Sequence, residues 1–444
     1  MTPAARIAAA IDVLTDVETN RRPVQDALKA WGLAHRFAGS GDRVAIGNLV
    51  FDALRRRASI AWRMGSDSPR ALALGAFRWC WGKDLAEIDD RFAREAHAPA
   101  ALTADERVAL SEGNLDTAPA WVQGDVPEWL MPSLERTFGE RAAAEGAALA
   151  GRAPVDLRVN TLKADREKVL EALADLGAVA GEHSPVAVRI PVGEGAAKPP
   201  HVQSELGFGR GWFEVQDEGS QIAALIAGAR PGQQVLDLCA GAGGKTLALA
   251  AVMDNRGQLY AYDSDKRRFG DILDRIGRSG AHNIQVRAPA KADPLSDLED
   301  RMDLVLVDAP CTGTGTWRRR PDAKWRVGPN ALAMRTGQQD EVLEQAVRYV
   351  KPGGRLVYIT CSVLPEENED RIAGFLDRHG DYRLVDPAGA WISGLGSAMP
   401  ASFAAEIGDR GRALRLTPAS AGTDGFFVAL LERTVQKPVA GRER

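Results

Sequence analysis

Hydrophobic positions in the first part of the chain recur at helical spacing. They do so in RIAAAIDVL, VAIGNLVFDAL and RALALGAFRWCW, and no stretch there alternates as a strand would. Thr103 followed three residues later by Glu106 is a capping-box pattern, which marks a further helix start. We therefore predict an all-helical domain over residues 1–125.

The following residues, 126–220, have a mixed pattern. PEWLMPSLERTFGERAAAEGAALAG predicts one or two helices, APVDLRVNTLK a short strand, and KADREKVLEALADLG a helix that ends at Gly177. Between positions 181 and 211 glycine and proline are frequent, which indicates loops with short strands. This region is predicted to be a small α+β domain.

From about Gln221 apolar strands alternate regularly with amphipathic helices. The predicted strands are QVLDLCA, QLYAYD, NIQVRA, DLVLVDAPC, RLVYITCSV, YRLV and GFFVALLER. Such alternation predicts a largely parallel sheet with helices on both faces. Residues 221–435 are therefore predicted to form a Rossmann-like α/β domain, followed by a tail over residues 436–444.

Composition excludes several classes of protein. The 444 residues carry a formal net charge of -4, and 26% of them are charged, as in a soluble globular protein. No stretch reaches the roughly 18 apolar residues needed to span a bilayer, and Asp12 interrupts the N-terminal apolar run before it reaches signal-peptide length. Four cysteines are too few for a disulfide framework, and six scattered histidines form no metal-binding pattern. We expect a cytoplasmic protein with no membrane or metal partner, and a monomer by default.

Positive charge is concentrated in two places. Residues 21–78 contain 11 Lys or Arg against 4 Asp or Glu, an excess of 7, which is the charge pattern of local nucleic-acid contact. Residues 317–326, hereafter the basic segment, hold five cations and two tryptophans. They suit contact with RNA phosphates and stacking on an unpaired base. The alternative is a solvated basic loop in which Trp325 packs inward.

The first strand of the α/β domain leads into a glycine-rich turn. Asp237 lies in the strand, and Gly241, Gly243 and Gly244 follow at its carboxyl end, where open α/β sheets bind ligands. The spacing differs from the dinucleotide motif, and the first glycine of a P-loop would be at position 239, which is Cys. Asp263 ends the second strand, where it can accept both hydroxyls of a ribose. S-adenosylmethionine fits this pattern better than NAD or ATP; the alternative is that the glycines only allow close packing.

Two cysteines follow two predicted neighbouring strands. Cys311 comes after LVDAP and Cys361 after VYIT, so both thiols are expected at the same sheet edge as the glycine turn. A single cysteine in an apolar strand is usually a buried hydrophobic residue. Polar neighbours at both positions make that interpretation weaker here. Cys239, placed in the first strand, and Cys80, in a helical apolar run, are interpreted as core residues.

Residues from Arg158 to the C-terminus resemble the RNA cytosine-5 methyltransferases of the Sun/RsmB/Nop group. The segments that carry the resemblance are RVNT (158–161), EVQDEGSQ (214–221), DLCAGAGGK (237–245), DAPC (308–311), RRPD (319–322), TCS (360–362) with PEEN (365–368), and DGFF (424–427). The N-terminal helices are similar to the NusB-type RNA-binding domain of bacterial RsmB-like members. This similarity rests on the helical pattern, the positive charge and the segment LVFDALRRR. The resemblance implies a class I methyltransferase sheet after a NusB-like domain.

The resemblance also implies a covalent mechanism. Carbon 5 of cytosine is a poor nucleophile, and a thiolate added to carbon 6 makes it enamine-like, so that it can take a methyl group. By resemblance Cys361 attacks, Cys311 assists release of methylated RNA, and Asp308 hydrogen-bonds the cytosine. Lys245 is a candidate active-site cation that lowers a thiol pKa; the alternative is that it only pairs with a carboxylate at the sheet edge.

The resemblance extends to the cofactor and RNA contacts. The residues expected to bind S-adenosylmethionine are Cys239, Ala240, Gly241, Ala242, Gly243, Gly244, Lys245, Asp263 and Asp308. Those expected to contact RNA are Arg158, Asn160, Arg318, Arg319, Arg320 and Lys324. Family members usually have an acidic residue after the third strand that contacts adenine; here residues 286–293 are VRAPAKAD, with Asp293 a few residues late. We assign no side chain to that contact.

The leading hypothesis is methylation of carbon 5 of a cytosine in RNA, with 16S ribosomal RNA as the favoured substrate. Transfer RNA is an alternative substrate. DNA cytosine-5 methylation would use the cysteine of a Pro-Cys segment, here Cys311, and would leave Cys361 unexplained. A non-catalytic ribosome assembly factor on a methyltransferase scaffold is the alternative from another class of function.

Overall fold

A computed structural model describes residues 1–435, so the predicted tail over 436–444 lies outside the described residues. The chain forms two compact units. The first contains Met1–Ala153, Val192–Pro200 and Thr316–Val327, and the second contains Pro154–Pro191, His201–Gly315 and the chain from Gly328 onward. The predicted boundaries at residues 125 and 220 therefore stay predictions, because the compact units divide the chain elsewhere.

The first unit is helical, as expected for its N-terminal part. Its helices are α1 (Pro3–Asn20), α2 (Val24–Ala34), α3 (Ser40–Arg55), α4 (Arg57–Met64), α5 (Pro69–Gly75, continued by a wider turn over Ala76–Cys80), α6 (Leu85–Arg94), α7 (Ala104–Glu112), α8 (Ala120–Gln123), α9 (Met131–Phe138) and α10 (Ala142–Leu149). The predicted capping box is present at the start of α7, where Thr103 accepts from the backbone of Glu106. One face of each of α1, α3 and α5 supplies the apolar core, with Ile7, Ile46 and Leu72 among its buried members.

The second unit begins with a small four-stranded antiparallel sheet. Its strands are β1 (Val155–Val159), β2 (Val179–Ala180), β3 (Ala187–Ile190) and β4 (Phe213–Val215), in the order β2-β3-β1-β4. Helices α11 (Arg166–Ala172) and α12 (Leu206–Gly209) accompany it. Leu157, Val188 and Phe213 are fully buried in its core.

The second unit also contains a nine-stranded sheet. Its strands are β5 (Gln234–Asp237), β6 (Gln258–Tyr262), β7 (Ile284–Arg287), β8 (Met302–Asp308), β9 (Val350–Thr360), β10 (Tyr382–Val385), β11 (Ala404–Glu406), β12 (Arg412–Leu416) and β13 (Phe426–Arg433). The accompanying helices are α13 (Glu218–Ile226), α14 (Gly244–Val252), α15 (Ile272–Ser279), α17 (Pro329–Val347), α18 (Glu369–Arg378), α19 (Pro387–Leu395) and α20 (Pro418–Ala421). Helix α16 (Pro321–Arg326) belongs to the first unit. The strand order is β11-β12-β13-β9-β8-β5-β6-β7, with β10 also paired to β13. Strands β5 to β9 are parallel, and β13 runs antiparallel to β9.

Alternate residues of the central strands enter two different apolar cores. Val235, Leu306 and Val357 belong to the core that α13, α14 and α19 cover, whereas Leu236 and Val307 belong to the core of α17 and α18. Because successive side chains of a strand point to opposite faces, the two cores lie on the two faces of one sheet. The predicted Rossmann-like sheet with helices on both faces is confirmed.

Two local expectations were incomplete. The sequence pattern predicted no element between YRLV and GFFVALLER, but α19, β11, β12 and α20 lie there. In addition, β5 ends at Asp237, so Cys239 lies in the turn after the strand and not in the strand. The turn begins early because Gly241 has a positive φ of 52° and its amide is drawn to the carboxylate of Asp263.

Candidate active site

The two predicted cysteines meet at one edge of the large sheet. β8 ends at Asp308 and β9 at Thr360, and these strands are parallel neighbours with Asp308 opposite Ile359. Cys311 and Cys361 follow them, and their Sγ atoms are 3.4 Å apart. Both side chains are partly exposed, so the pair is not sealed inside the core.

A buried carboxylate holds the loop that carries Cys311. Glu367 is fully buried and accepts from the Thr312 amide at 2.7 Å, from the Thr312 hydroxyl, and from Nε2 of Gln339 at 3.1 Å. Gln339 also donates to the carbonyl of Pro310 at 2.9 Å. The hydrogen bond to Cys361, burial and the negative charge of Glu367 together hold the pKa of the Cys311 thiol well above its ordinary value.

A second set of hydrogen bonds fixes the segment around Cys361. The Thr360 hydroxyl donates to Oδ1 of Asn368 at 2.6 Å, and Nδ2 of Asn368 donates to the Ser362 carbonyl at 2.9 Å. The Cys361 carbonyl accepts from the Gly315 amide at 2.9 Å. Asn368 therefore fixes both residues next to Cys361: Thr360 through its side chain and Ser362 through its backbone carbonyl.

Lys245 lies at the same edge and is paired. Its Nζ is 2.7 Å from Oδ2 of Asp308, and its side chain is 8% exposed. Burial pulls the pKa of Lys245 down, but the charge and hydrogen bond of Asp308 raise it by more, with a further contribution from Cys361. The ammonium group is thus charged at neutral pH, and it both pairs with a carboxylate and lies within electrostatic reach of Cys361.

The glycine turn has the features expected of a cofactor cradle. Asp263, 2% exposed, accepts from the Gly241 amide at 2.9 Å and pairs with the exposed Arg268 at 3.0 Å. Asp237 is buried, and its Oδ1 has no hydrogen-bond partner among the described residues, while Oδ2 accepts from Thr246 at 2.7 Å. Burial raises the pKa of Asp237 to about 7.

The glycines of the turn allow both close packing and the approach of a ligand. A Cβ on Gly243 would lie 2.7 Å from Ile272, so this glycine allows close packing against α15. Gly244 has no neighbour closer than 3.8 Å to the position of a Cβ, which leaves its backbone open to a ligand. A buried strand-end carboxylate, an open backbone turn and an orphaned carboxylate oxygen fit the ribose and amino acid portions of S-adenosylmethionine.

Four of the six residues predicted to contact RNA are in the protein interior. Arg158 and Asn160 are each 3% exposed, Arg318 is 5% and Lys324 is 1% exposed. Nε of Arg158 donates to Gln216 at 2.6 Å, and burial lowers the pKa of Arg158 to about 10. Asn160 donates to the carbonyls of Gly211 and Ser279, so these two side chains hold the fold together and do not offer an RNA-binding surface.

Side chains of the basic segment also form hydrogen bonds within the fold. Lys324 donates to the Arg55 carbonyl at 2.8 Å and Trp325 to the Leu54 carbonyl at 2.6 Å, both at the end of α3 in the first unit. Burial lowers the pKa of Lys324 to about 7. The inward-packed alternative is therefore correct for Trp325. Arg319 is half-buried and Arg320 is exposed, and contact of these two residues with RNA stays a prediction.

The sequence interpretation missed the residues that hold the thiols in place. Glu367 and Asn368 lie in the PEEN segment, which supported the resemblance without being given a role, and Gln339 was not singled out. The available signal was the closeness of PEEN to Cys361 in the chain. Nothing in the pattern of α17 indicated that Gln339 faces the Cys311 loop.

Comparisons with known proteins agree with this geometry. Residues 224–432 match a family model described as 16S rRNA methyltransferase RsmB/F, and residues 126–193 match a ferredoxin-like domain of the RsmF/B-like methyltransferases. The chain is 33% identical over 317 residues to the Synechocystis sp. protein called "Probable ribosomal RNA small subunit methyltransferase B", which covers 70% of this chain and 67% of that one. The chain belongs to the RsmB/F methyltransferase family.

Further similarities extend this assignment. Ribosomal RNA small subunit methyltransferase B of Pectobacterium atrosepticum is 33% identical over 306 residues, covering 69% of this chain and 66% of the relative. The alignments thus span about two thirds of the length of these relatives. The crystal structure of PH0851 superposes with a TM-score of 0.70 at 26% identity, over 98% of this chain and 99% of that one.

Membership of the family makes this protein an RNA methyltransferase that uses S-adenosylmethionine, as the glycine turn and the resemblance predicted. Among residues 1–435 the structure contains no helix long and apolar enough to cross a bilayer. The same residues include no group of three or more His, Cys, Asp or Glu side chains arranged to hold a metal ion.

Proposed function

We propose that this protein methylates carbon 5 of a cytosine in small-subunit ribosomal RNA through a covalent adduct with Cys361. The observation that carries the proposal is the 3.4 Å approach of two sulfur atoms beside the Lys245–Asp308 pair. A methyltransferase that acts on a nitrogen or oxygen nucleophile has no chemical need for a second thiol.

Cys361 is the nucleophile in this scheme. Its thiolate adds to carbon 6 of the cytosine, and the electron pair moves to carbon 5, which then takes the methyl group. The sulfonium of S-adenosylmethionine supplies that methyl group when the cofactor is bound. The methyl–sulfur bond breaks as the new carbon–carbon bond forms, and the donor leaves as neutral S-adenosylhomocysteine. Loss of the carbon 5 proton to water then re-forms the 5,6 double bond and expels the Cys361 thiolate.

Cys311 assists the release step. The raised pKa of Cys311 keeps it a neutral thiol, which lies within hydrogen-bond distance of the Cys361 sulfur. Two negative sulfurs at this distance would repel strongly, so Cys311 keeps its proton when Cys361 reacts as a thiolate. A neutral thiol next to the leaving sulfur can stabilise the negative charge that returns to Cys361.

Lys245 and Asp308 supply the electrostatics. The Lys245 ammonium group favours a thiolate at Cys361, and Asp308, with a side chain 34% exposed, keeps an oxygen available to hydrogen-bond the cytosine amino group. Charge that develops on the base during addition is then met by groups already in position, which is where preorganised sites contribute most. The target cytosine has to be single-stranded or flipped out of a helix to reach this edge.

The decisive experiment replaces each cysteine in turn. We expect Cys361→Ala to abolish transfer of labelled methyl groups to small-subunit RNA. We expect Cys311→Ala to accumulate a protein–RNA adduct that survives denaturing electrophoresis. Cys80→Ala, which removes a partly buried thiol of the first unit, serves as the matched control and should retain methyl transfer.

Bisulfite mapping of RNA from cells with and without the gene identifies the substrate. A 5-methylcytosine in small-subunit RNA that disappears with the gene supports the proposal. A lost site in transfer RNA would instead make that RNA the substrate. Full activity of Cys361→Ala would contradict the covalent scheme, and absence of any methyl transfer by the unaltered protein would favour an assembly factor.

A further inference from the structure

The first unit contains a cavity that the catalytic site does not use. Its volume is about 530 Å³, and it lies between α3, α4, the end of α5, α10 and the 192–195 loop. Apolar side chains of Ile60, Trp79 and Leu115 line part of it. Cavities of roughly 300–1,000 Å³ accommodate small organic ligands, so this one is too large to be a site for a bare ion alone.

Arginines dominate the charged lining. Those that line the cavity are Arg55, Arg56, Arg63 and Arg152. Two carboxylates at the wall are already committed: Asp52 pairs with Arg55 and Arg152, and Asp125 pairs with Arg56 and accepts from Ser59. Glu194, the remaining acidic residue of the lining, is exposed to solvent.

Arg63 is the cavity arginine that these carboxylates do not bind directly, although the charge of Asp125 acts on it from a distance. It forms no hydrogen bond or ion pair with any residue in the described part of the chain, and its Nε is buried without a partner. Its guanidinium carbon lies 4.9 Å from the centre of the Trp79 ring. Nε of Arg55 is also buried and unpartnered within residues 1–435. Buried donors without acceptors are costly, and a ligand that brings acceptor oxygens would satisfy them.

A further basic side chain lies buried behind the cavity wall. Lys324 is 1% exposed, and the structure records only the carbonyl of Arg55 as acceptor for its Nζ. Asp125 stabilises its positive charge, whereas burial and the cavity arginines Arg56 and Arg55 disfavour it. The local charge is therefore positive beyond what Asp52 and Asp125 neutralise. An anion in the cavity would relieve this excess.

We propose that this cavity binds one nucleotide unit, with its phosphate on Arg63 and Arg56 and its base and sugar against the apolar wall. The guanidinium of Arg63 presents paired N–H donors that match two phosphate oxygens. The volume, the apolar lining and the unpaired arginine together specify a phosphorylated aromatic ligand. A free nucleotide and a nucleotide within a single-stranded RNA share this chemistry.

The test measures binding to the full chain by isothermal titration calorimetry. The probes are inorganic phosphate, uridine 5′-monophosphate and pentauridine, none of which contains the cytosine that the proposed catalytic reaction requires. We expect Arg63→Gln to weaken nucleotide binding roughly tenfold, the effect of one lost charge-assisted hydrogen bond. The dependence of affinity on salt should also fall by about one ion.

Two matched controls separate the cavity from general charge. Arg94→Gln makes the same change at an exposed residue of α6, paired with Asp90, and should leave binding unchanged. Gln123→Glu places a negative charge at an exposed position of the cavity lining and should weaken binding, although it also removes the hydrogen bond from Gln123 to the Ala118 carbonyl. Gln25→Glu, on the exposed face of α2, is its control. Gln123→Glu keeps the test decisive should Arg63→Gln fail to fold.

Binding of uridine monophosphate that depends on Arg63 supports the proposal and identifies a free nucleotide as sufficient. Binding of pentauridine alone, again dependent on Arg63, supports it with RNA as the source of the nucleotide. Equal losses in Arg63→Gln and Arg94→Gln would overturn it. Inorganic phosphate binding as tightly as uridine monophosphate would overturn the nucleotide assignment.

Discussion

The edge of the large sheet and the basic segment were both predicted to be functional, and only at the sheet edge did the structure bring the predicted groups together. At the sheet edge, Cys311, Cys361, Asp308 and Lys245 converge. In the basic segment, Arg318 and Lys324 are buried and Trp325 packs inward.

The difference has a physical origin. The carboxyl ends of parallel strands lie along one edge of a sheet whatever the loops do, so residues that follow two neighbouring strands are brought together by topology. Nothing comparable constrains a loop rich in cations. A long lysine or arginine side chain can reach solvent, RNA or a backbone carbonyl of its own fold, and its sequence neighbours do not decide among them.

The sharpest test of the sheet edge removes its cation. Lys245→Met should lower the rate of methyl transfer about 10²- to 10³-fold, because it removes a preorganised charge from the site. Single-turnover transfer of labelled methyl groups measures the effect. Lys351→Met, at the start of β9 and paired with Asp303, makes the same change at the opposite end of a strand and should be nearly silent. Equal effects would remove Lys245 from the active site.

The basic segment is tested through stability. The pKa of Lys324 is about 7 in the folded protein and near 10.5 when the chain unfolds. Between these values the unfolded chain binds one more proton, so the free energy of unfolding should rise with pH from 7 toward 10, by up to about 1.4 kcal/mol per unit.

Lys324→Met should flatten this rise. Urea unfolding at pH 7, 8 and 9 measures it, and Lys29→Met, at an exposed position of α2, provides the control. A pH dependence that is the same in the Lys324 variant and the control would show that Lys324 is solvated and available to a ligand, as the sequence first suggested.

Glu367 provides a finer test of the sheet edge. It acts on Cys311 through its charge and the loop it holds, so it is a positioning residue. Glu367→Gln should slow methyl transfer about tenfold and lower the pKa of Cys311, because the nearby negative charge is lost. The alkaline limb of the pH–rate profile should therefore move to lower pH. Glu344→Gln, at an exposed residue of α17 paired with His379, is the control.

A slower reaction with an unmoved pH profile would make Glu367 structural only.

The smallest effect is expected for Arg320, an exposed residue of the basic segment. Arg320→Gln should weaken RNA binding only about two- to threefold and lower the salt slope by at most about one ion, as for a single phosphate contact. Lys324→Met should leave the slope unchanged. Fluorescence anisotropy with a small-subunit RNA fragment at several salt concentrations compares the two. If Lys324→Met changed the salt slope more than Arg320→Gln, Lys324 and not Arg320 would be the residue that contacts RNA.

Some of the molecule could be predicted from particular residues. The strand ends at Asp237, Asp263, Asp308 and Thr360 follow from apolar runs that stop at polar residues, and they place the ligand edge. The strands β11 and β12 escaped because they are three and five residues long and lie among glycine and proline. Arg158 and Asn160 resemble family positions, and their burial depends on partners distant in the chain, such as Gln216 and Ser279.

The sequence by itself determined the helical first part of the chain, the Rossmann-like α/β class, the sheet edge that holds the site and the pair of thiols, because these depend on local periodicity and on the topology of parallel strands. The tertiary structure alone decided which charges are used internally, which carboxylate holds Cys311, and that Arg63 has no hydrogen-bonded or ion-paired partner among residues 1–435. These depend on pairings between residues far apart in the chain, whose free energies are set by burial and distance and leave no periodic trace in the sequence.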